Sequence, residues 1–265
     1  MDQALPKRRI ISINVSYGTY KQFVSAIIQQ AIQKVSCYVC LANVHMILEA
    51  YQSLFFKKVV NSAFLVTPDG MPVAKSFGLL HRQTQERVDG MSLLPVLLSE
   101  AERHHLNVYF YGGTQAMLAK TTDYLTVTYP NLNLGGTYSP PFRELTKFEM
   151  DEIAQNISSS GANIIFVILG CPKQEKWMHA MQGKIDAIMI GVGGALPVLI
   201  GLQKRAPIWM QTNSLEWLYR LKQEPRRLFI RYFKTNHLFL YLLAKEQLKR
   251  SIKKNIIRKI IMKYK

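Results

Sequence analysis

The strongest constraint on this chain is a rhythm. Short, continuous apolar runs alternate with longer stretches of helical spacing, and all but the first run end in glycine or Pro-Asp-Gly turns. Ser36–Leu41, Ala63–Val66, Val108–Tyr111, Ile164–Leu169 and Ala187–Ile190 are the runs. Val44–Ser53, Leu93–His105, Gln115–Tyr124, Lys147–Ser159 and Lys173–Met181 are the helical stretches. A strand with one wet face alternates apolar and polar residues; a continuous apolar run belongs to a strand covered on both faces. Parallel strands need crossover helices between them, which the intervening segments supply. The rhythm therefore predicts an α/β fold: a Rossmann-like, largely parallel sheet with helices on both faces. With 265 residues, 48% of them hydrophobic, the chain can bury a substantial core, and disorder throughout is excluded.

Charge divides the chain. The net charge is +17, but residues 1–202 carry 17 Lys+Arg against 14 Asp+Glu, whereas residues 203–265 carry 17 against 3. We expect an α/β catalytic domain over 1–202 and a basic, helical C-terminal appendage over 203–265. Within the appendage, Ser214–Lys222 and Leu228–Leu243 are rich in leucine and aromatics, interleaved with Arg220, Arg226, Arg227 and Arg231. Leu248, Ile252, Ile256 and Ile260 then form a stripe that Ile257 and Ile261 widen, with Lys245, Lys249, Lys253, Lys254 and Arg258 around it. A basic amphipathic helix of this kind suits an anionic membrane surface. The plainer reading is a helix packed on the core with a solvated basic face. Nucleic-acid binding is a rival prompted by the pI of about 9.8. The near-neutral body and the lack of a recognition motif weigh against it.

Other classes are disfavoured. Three cysteines do not suggest a disulfide framework. Cys37 and Cys40 form a C-x-x-C inside a strand-like run rather than at a helix start, so they read as buried structural residues. Cys171 is given no nucleophilic role. No leader pattern opens the chain, and Ala187–Leu202, with four glycines and Pro197, falls short of the roughly 20 residues of a spanning helix. The six histidines show no metal spacing, and G-x-S-x-G and G-x-G-x-x-G are both missing. The last point disfavours a dinucleotide-dependent oxidoreductase.

In open parallel sheets, ligands bind beyond the carboxyl ends of the strands. Four loops fall there: Thr67-Pro68-Asp69-Gly70, Tyr111-Gly112-Gly113-Thr114, Gly170 to Glu175, and Gly191-Val192-Gly193-Gly194. Glycines at such ends let backbone N–H groups approach an anion, so a diphosphate is a plausible ligand. Asp69 alone could be a turn-forming residue. Arg87, Lys173, Lys204 and Arg205 supply cations near these loops, and no Asp-x-Asp pair exists to hold a metal-bound nucleotide.

Several motifs occur in order: Asn43-Val44-His45, Pro68-Asp69-Gly70, Glu86-Arg87-Val88-x-Gly90, Tyr111-Gly112-Gly113 and Gly170-x-Pro172-x-Gln174-Glu175. Gly191-Val192-Gly193-Gly194, Lys204-Arg205-Ala206-Pro207, Leu215-Glu216-Trp217-Leu218-Tyr219-Arg220-Leu221 and Glu224-Pro225-x-Arg227-Leu228 follow. With them the chain resembles the WecG/TagA/CpsF family of bacterial glycosyltransferases over about Asn43 to Tyr232. The resemblance implies an inverting transfer that needs no metal and no cofactor. A sugar, N-acetylmannosamine or another hexose, would move from a UDP-sugar to a sugar on a polyprenyl-diphosphate lipid, in cell-surface polysaccharide or teichoic acid synthesis. It implies a peripheral enzyme on the cytoplasmic face of the bacterial inner membrane.

Carried over by motif, Asp69 is the general base. Asn43, Arg87 and Gln174 bind sugar or diphosphate, as do Gly112, Gly113, Gly170, Glu175, Gly193 and Arg205. Arg220, Arg227 and Arg231 of the appendage contact the diphosphate. The family commonly has Thr where Leu41 stands, and an Asp where Pro197 stands. These departures put the donor sugar in question and raise the alternative of a catalytically lost member. The sequence leaves open whether copies associate into a homo-oligomer.

Overall fold

The structure is a computed structural model and describes residues 4–223, 225 and 235–252. An antiparallel hairpin, β1 (Lys7–Ile10) and β2 (Ile13–Ser16), opens the chain and is followed by α1 (Tyr20–Ile32). The main sheet comprises β3 (Cys37–Ala42), β4 (Leu65–Pro68), β5 (Asn107–Gly112), β6 (Asn133–Tyr138), β7 (Ile164–Ile168) and β8 (Ile188–Gly191). Their spatial order is β4-β3-β8-β7-β5-β6, and every neighbouring pair is parallel. The expected Rossmann-like sheet is thus present, with β8, the last strand among the described residues, inserted between β3 and β7.

Period-2 geometry sends successive side chains to opposite faces. Tyr38, Cys40, Ala42, Val66, Tyr109, Tyr111, Ile165, Val167 and Met189 face one layer. That layer holds α2 (Val44–Gln52), α3 (Leu54–Asn61), α4 (Met71–His81), α7 (Lys147–Ser159) and α8 (Lys173–Met181). Cys37, Val39, Leu41, Leu65, Phe110, Phe166, Ile168 and Ile190 face the other. It is covered by α1, α5 (Gly90–Arg103), α6 (Gln115–Thr128) and α9 (Ala195–Leu199). Residues such as Phe110, Phe166 and Ile190 are fully buried, and each such side chain contributes roughly 1.5–3 kcal/mol. Cys37 and Cys40 are buried, unbridged strand residues.

The predicted α7 and α8 match their observed bounds, and the other predicted elements are shifted by a few residues. The hairpin, α1, α3, α4 and β6 are additions. β6 reads Asn-Leu-Gly-Gly-Thr-Tyr and is mostly half-exposed at the sheet edge, so it lacks the apolar run that marks the inner strands. Among the described residues, no helix is long and apolar enough to cross a membrane.

Beyond residue 203 lie α10 (Ile208–Thr212), α11 (Glu216–Gln223) and a helix over 235–252. The described part of this segment packs onto the body. Phe239 and Leu242 join the core beneath α2–α4, and Arg250 Nη1 donates to the Leu80 carbonyl at 3.1 Å. The stretch 228–234 and the stripe residues Ile256, Ile257, Ile260 and Ile261 lie outside the described residues.

Candidate active site

Parallel register brings the strand ends to one rim. Ala42 pairs with Pro68, Val167 with Gly191, and Gly112 with Ile168. The chain leaves each strand at that rim, and the loops surround a cleft of ≈ 520 Å³. Asn43, Asp69, Arg87, Gly170, Cys171, Gln174 and Gly193 line it from the body. Glu216, Trp217, Tyr219 and Arg220 line it from α11, and Thr235 and Asn236 from the start of the last helix.

Asp69 follows β4 directly. Its amide donates to the Ala42 carbonyl at 3.0 Å, tying the turn to β3. Its Oδ1 accepts from the Gly90 amide at 2.9 Å. Among the described residues Oδ2 carries no hydrogen bond. Burial pushes the carboxyl up to about 6, and the charge of Asp89 adds to the rise. Arg87, the Gly90 amide and Arg220 pull it down without cancelling the rise. A carboxylate held by one oxygen, with the other free and an affinity for protons near neutrality, has the properties of a general base.

Arg87 is fixed on two sides. Its Nε donates to the Asp69 carbonyl at 2.7 Å and its Nη2 to Glu216 Oε2 at 2.5 Å. Asp89 stands 3.8 Å from the same Nη2. Asp89 also caps α5, accepting from the Ser92 amide at 3.2 Å and the Ser92 hydroxyl at 2.9 Å. Arg205 Nη2 reaches Asp89 at 3.1 Å and the Ser92 hydroxyl at 2.7 Å. Glu216 Oε1 stands 3.5 Å from Arg220 Nε.

Several groups read as ligand contacts are bonded within the protein. Three of the strand-end glycine amides are among them. The Gly113 amide donates to Ile168 O at 3.0 Å, the Gly193 amide to Val167 O at 3.2 Å, and the Gly170 amide to Gln174 Oε1 at 3.1 Å. Gly112 is explained by close packing: at its φ of +104°, an added Cβ would lie 2.6 Å from the Ile168 carbonyl oxygen. Neither Gly112 nor Gly113 lines the cleft.

Gln174 lines the cleft, but both ends of its amide are engaged. Besides accepting from Gly170, it donates to Gly191 O at 3.0 Å and to Glu175 Oε1 at 2.8 Å. It is a strut between the ends of β7 and β8. Glu175 is fully buried behind the cleft wall, away from the lining. Burial pushes its carboxyl up to about 7, against the hydrogen bonds from Gln174, its own amide and the Cys171 thiol. Arg205 sits behind Asp89 rather than on the cleft wall.

Asn43 caps α2, its Oδ1 accepting from the Met46 amide at 3.2 Å, and lines the cleft. Arg227 and Arg231 lie outside the described residues. Leu41 and Pro197, the two departures, both line the cleft. Asp89 and Glu216 had no assigned role. Asp89 is a residue type that caps helices and stands a few residues before the predicted stretch Leu93–His105; the observed α5 begins directly after it, at Gly90. Glu216 stands in the Leu215–Leu221 motif, but its pairing with Arg87 is not local and leaves no mark in the sequence.

A relative from Bacillus spizizenii is 31% identical over 196 residues, covering 74% of both chains. One from Bacillus subtilis is 29% identical over 196 residues, 74% of this chain and 75% of its own. One from Staphylococcus aureus is 28% identical over 218 residues, 82% of each. All three are named N-acetylglucosaminyldiphosphoundecaprenol N-acetyl-beta-D-mannosaminyltransferase. The model of the glycosyl transferase WecG/TagA/CpsF family matches residues 8–253, which takes in all but the first residue of the hairpin, the whole main sheet, the cleft and most of the basic segment. The chain therefore belongs to the WecG/TagA/CpsF family of glycosyl transferases.

Proposed function

We propose that this glycosyltransferase moves a sugar from a UDP-sugar to the sugar of a polyprenyl-diphosphate lipid, with inversion and without a metal. The observation that carries the reading is Asp69, whose unengaged oxygen belongs to a proton-binding carboxylate in a cleft that also holds Arg87 and Arg220. The relatives' printed names, which describe transfer to an N-acetylglucosaminyl-diphosphoundecaprenol, support the acceptor class.

In this reading Asp69 takes the proton of the acceptor hydroxyl as that oxygen attacks the anomeric carbon. The bond from that carbon to the UDP oxygen breaks on the opposite side. One displacement inverts the configuration, and no covalent enzyme intermediate is required. A positioned base contributes about 10²–10⁴-fold. Arg87 and Arg220 meet the charge that develops on the departing diphosphate, the role a divalent cation serves in other sites. Arg227 and Arg231 are assigned the same task. Asn43 is assigned to the sugar, and Gln174 supports the wall.

We assign residues 203–265 to an anionic membrane surface, on the cytoplasmic face where a UDP-sugar would be met. Support comes from the 235–252 helix, where Leu240, Tyr241, Leu248 and Ile252 are 63%, 60%, 63% and 51% exposed beside Lys245 and Lys249. Apolar side chains flanked by lysines suit a headgroup interface.

The test is a panel of UDP-sugars, UDP-N-acetylmannosamine included, against an N-acetylglucosaminyl-diphosphate polyprenyl acceptor with chelator present. Product mass identifies the donor, and the anomeric configuration reports inversion. Absence of product from every donor would overturn the reading, and strict dependence on added metal would overturn its metal-free part.

A further inference from the structure

The cleft that is to receive a diphosphate already holds an anion of its own. Glu216, on α11, is 15% exposed at its side chain and presents each oxygen to a different guanidinium. Oε2 accepts from Arg87 Nη2 at 2.5 Å, and Oε1 stands 3.5 Å from Arg220 Nε. All three residues line the cleft together with Asp69. A carboxylate spread across two arginines is chemically the nearest thing a protein has to a bound phosphate.

The two arginines are held unequally. Arg87 keeps a second anchor, its Nε on the Asp69 carbonyl, and is only 12% exposed at its side chain. It would stay in place if Glu216 withdrew. Arg220 is 40% exposed, its contact with Glu216 is loose, and it follows Glu216 by one helical turn. The carboxylate can therefore leave without dismantling the cleft wall.

Building on the diphosphate reading above, we propose that Glu216 is an internal stand-in for the substrate's diphosphate. It occupies the seat between Arg87 and Arg220 in the substrate-free protein and yields that seat when the anion arrives. Before the anion arrives the seat stays preorganised and one of its two positive charges is offset, so Arg87 does not turn onto Asp89, 3.8 Å away, or further depress the proton affinity of Asp69. Affinity is reduced by the fraction of molecules in which the seat is taken.

A strut and a stand-in predict opposite signs. UDP binding is measured by calorimetry on the full chain, with chelator, for the native protein, Glu216→Gln and Glu216→Ala. Glu100→Gln, a surface carboxylate on α5, controls for the loss of one negative charge. The stand-in predicts UDP binding about five- to tenfold tighter in both Glu216 variants, with Glu100→Gln unchanged. Equal or weaker binding by variants with native melting curves would overturn it, as would an equal gain in Glu100→Gln. No UDP binding by any of the proteins, native included, would overturn the donor reading along with it.

Discussion

The Gly90 amide donates to Asp69 Oδ1 at 2.9 Å, so the first residue of α5 holds the carboxylate that follows β4. An added Cβ on Gly90 would lie 2.9 Å from Leu41 Cδ1 and 3.3 Å from Ala195 Cβ. The Leu41 terminus can rotate aside, but Ala195 Cβ cannot, so Gly90→Ala should press on that amide's position and lower transfer. We expect a loss of about tenfold or more, since a 1 Å misplacement can cost 10²-fold. Steady-state transfer rates check this.

Asp69→Asn should abolish transfer and leave UDP binding measurable. It should also raise stability. The folded carboxyl holds its proton more tightly than the unfolded one, so the fold is penalised as pH rises from about 4 through 6, and the penalty is complete at pH 7. Asparagine carries no such penalty, so the variant should gain roughly 1–3 kcal/mol at pH 7 and lose that advantage below pH 4. Melting curves at pH 7.5 and pH 4 test the sign. Native-like turnover would remove Asp69 from the role of base.

The same carboxyl sets the pH dependence of activity. A base works deprotonated, so transfer measured as kcat/KM should rise with pH through a midpoint near 6 and level off above it. A midpoint near 4 would mean that burial does not govern Asp69.

Glu175 makes a separable prediction, because it lies behind the wall. Its carboxyl is pushed up to about 7, so ionising it costs stability as pH rises through 7. Glu175→Gln should therefore be more stable than the native chain at pH 8.5 and no more stable at pH 4, as denaturant titrations would show. Gly191→Ala should destabilise at every pH by about 1–3 kcal/mol, since the new Cβ would lie 2.8 Å from Gln174 Nε2 and 3.0 Å from Met178 Cε.

Deleting 203–265 is a poor test of the membrane assignment, because Phe239 and Leu242 belong to the core. Reversing Lys245 and Lys249 to Glu leaves those contacts in place. Each lysine near an anionic bilayer is worth about 1 kcal/mol, so the double variant should partition onto anionic liposomes at least tenfold less, with unchanged melting. Unaltered flotation would move the assignment elsewhere. Phe239→Ala should cost about 3–5 kcal/mol, confirming by melting that this helix packs on the body.

Inner strands and their helices were legible because burial on both faces leaves a local mark: continuous apolar runs such as Ile164–Leu169, then helical spacing such as Lys173–Met181. Edge elements carry a weaker mark, which is why β6, half-exposed and glycine-paired, was missed. Asp69 and Arg87 were legible through ordered motifs. That the amides of Gly113, Gly170 and Gly193 and the side-chain amide of Gln174 bond within the protein left no mark in the sequence, since a strand-end glycine looks the same whether its amide faces a ligand or a neighbouring strand.

By itself, the sequence determined the α/β class, the motif residues at the strand ends and the division of charge between body and appendage. All three are set by residue order over short spans. Only the tertiary structure decided which amides are spent on carbonyls, that Glu175 lies behind the wall while Asp69 lines the cleft, and that Glu216 meets Arg87 across 129 positions of sequence. Those outcomes depend on strand order and register, above all on β8 inserting between β3 and β7. A hydrogen bond or ion pair made across that distance leaves no periodicity in the chain that forms it.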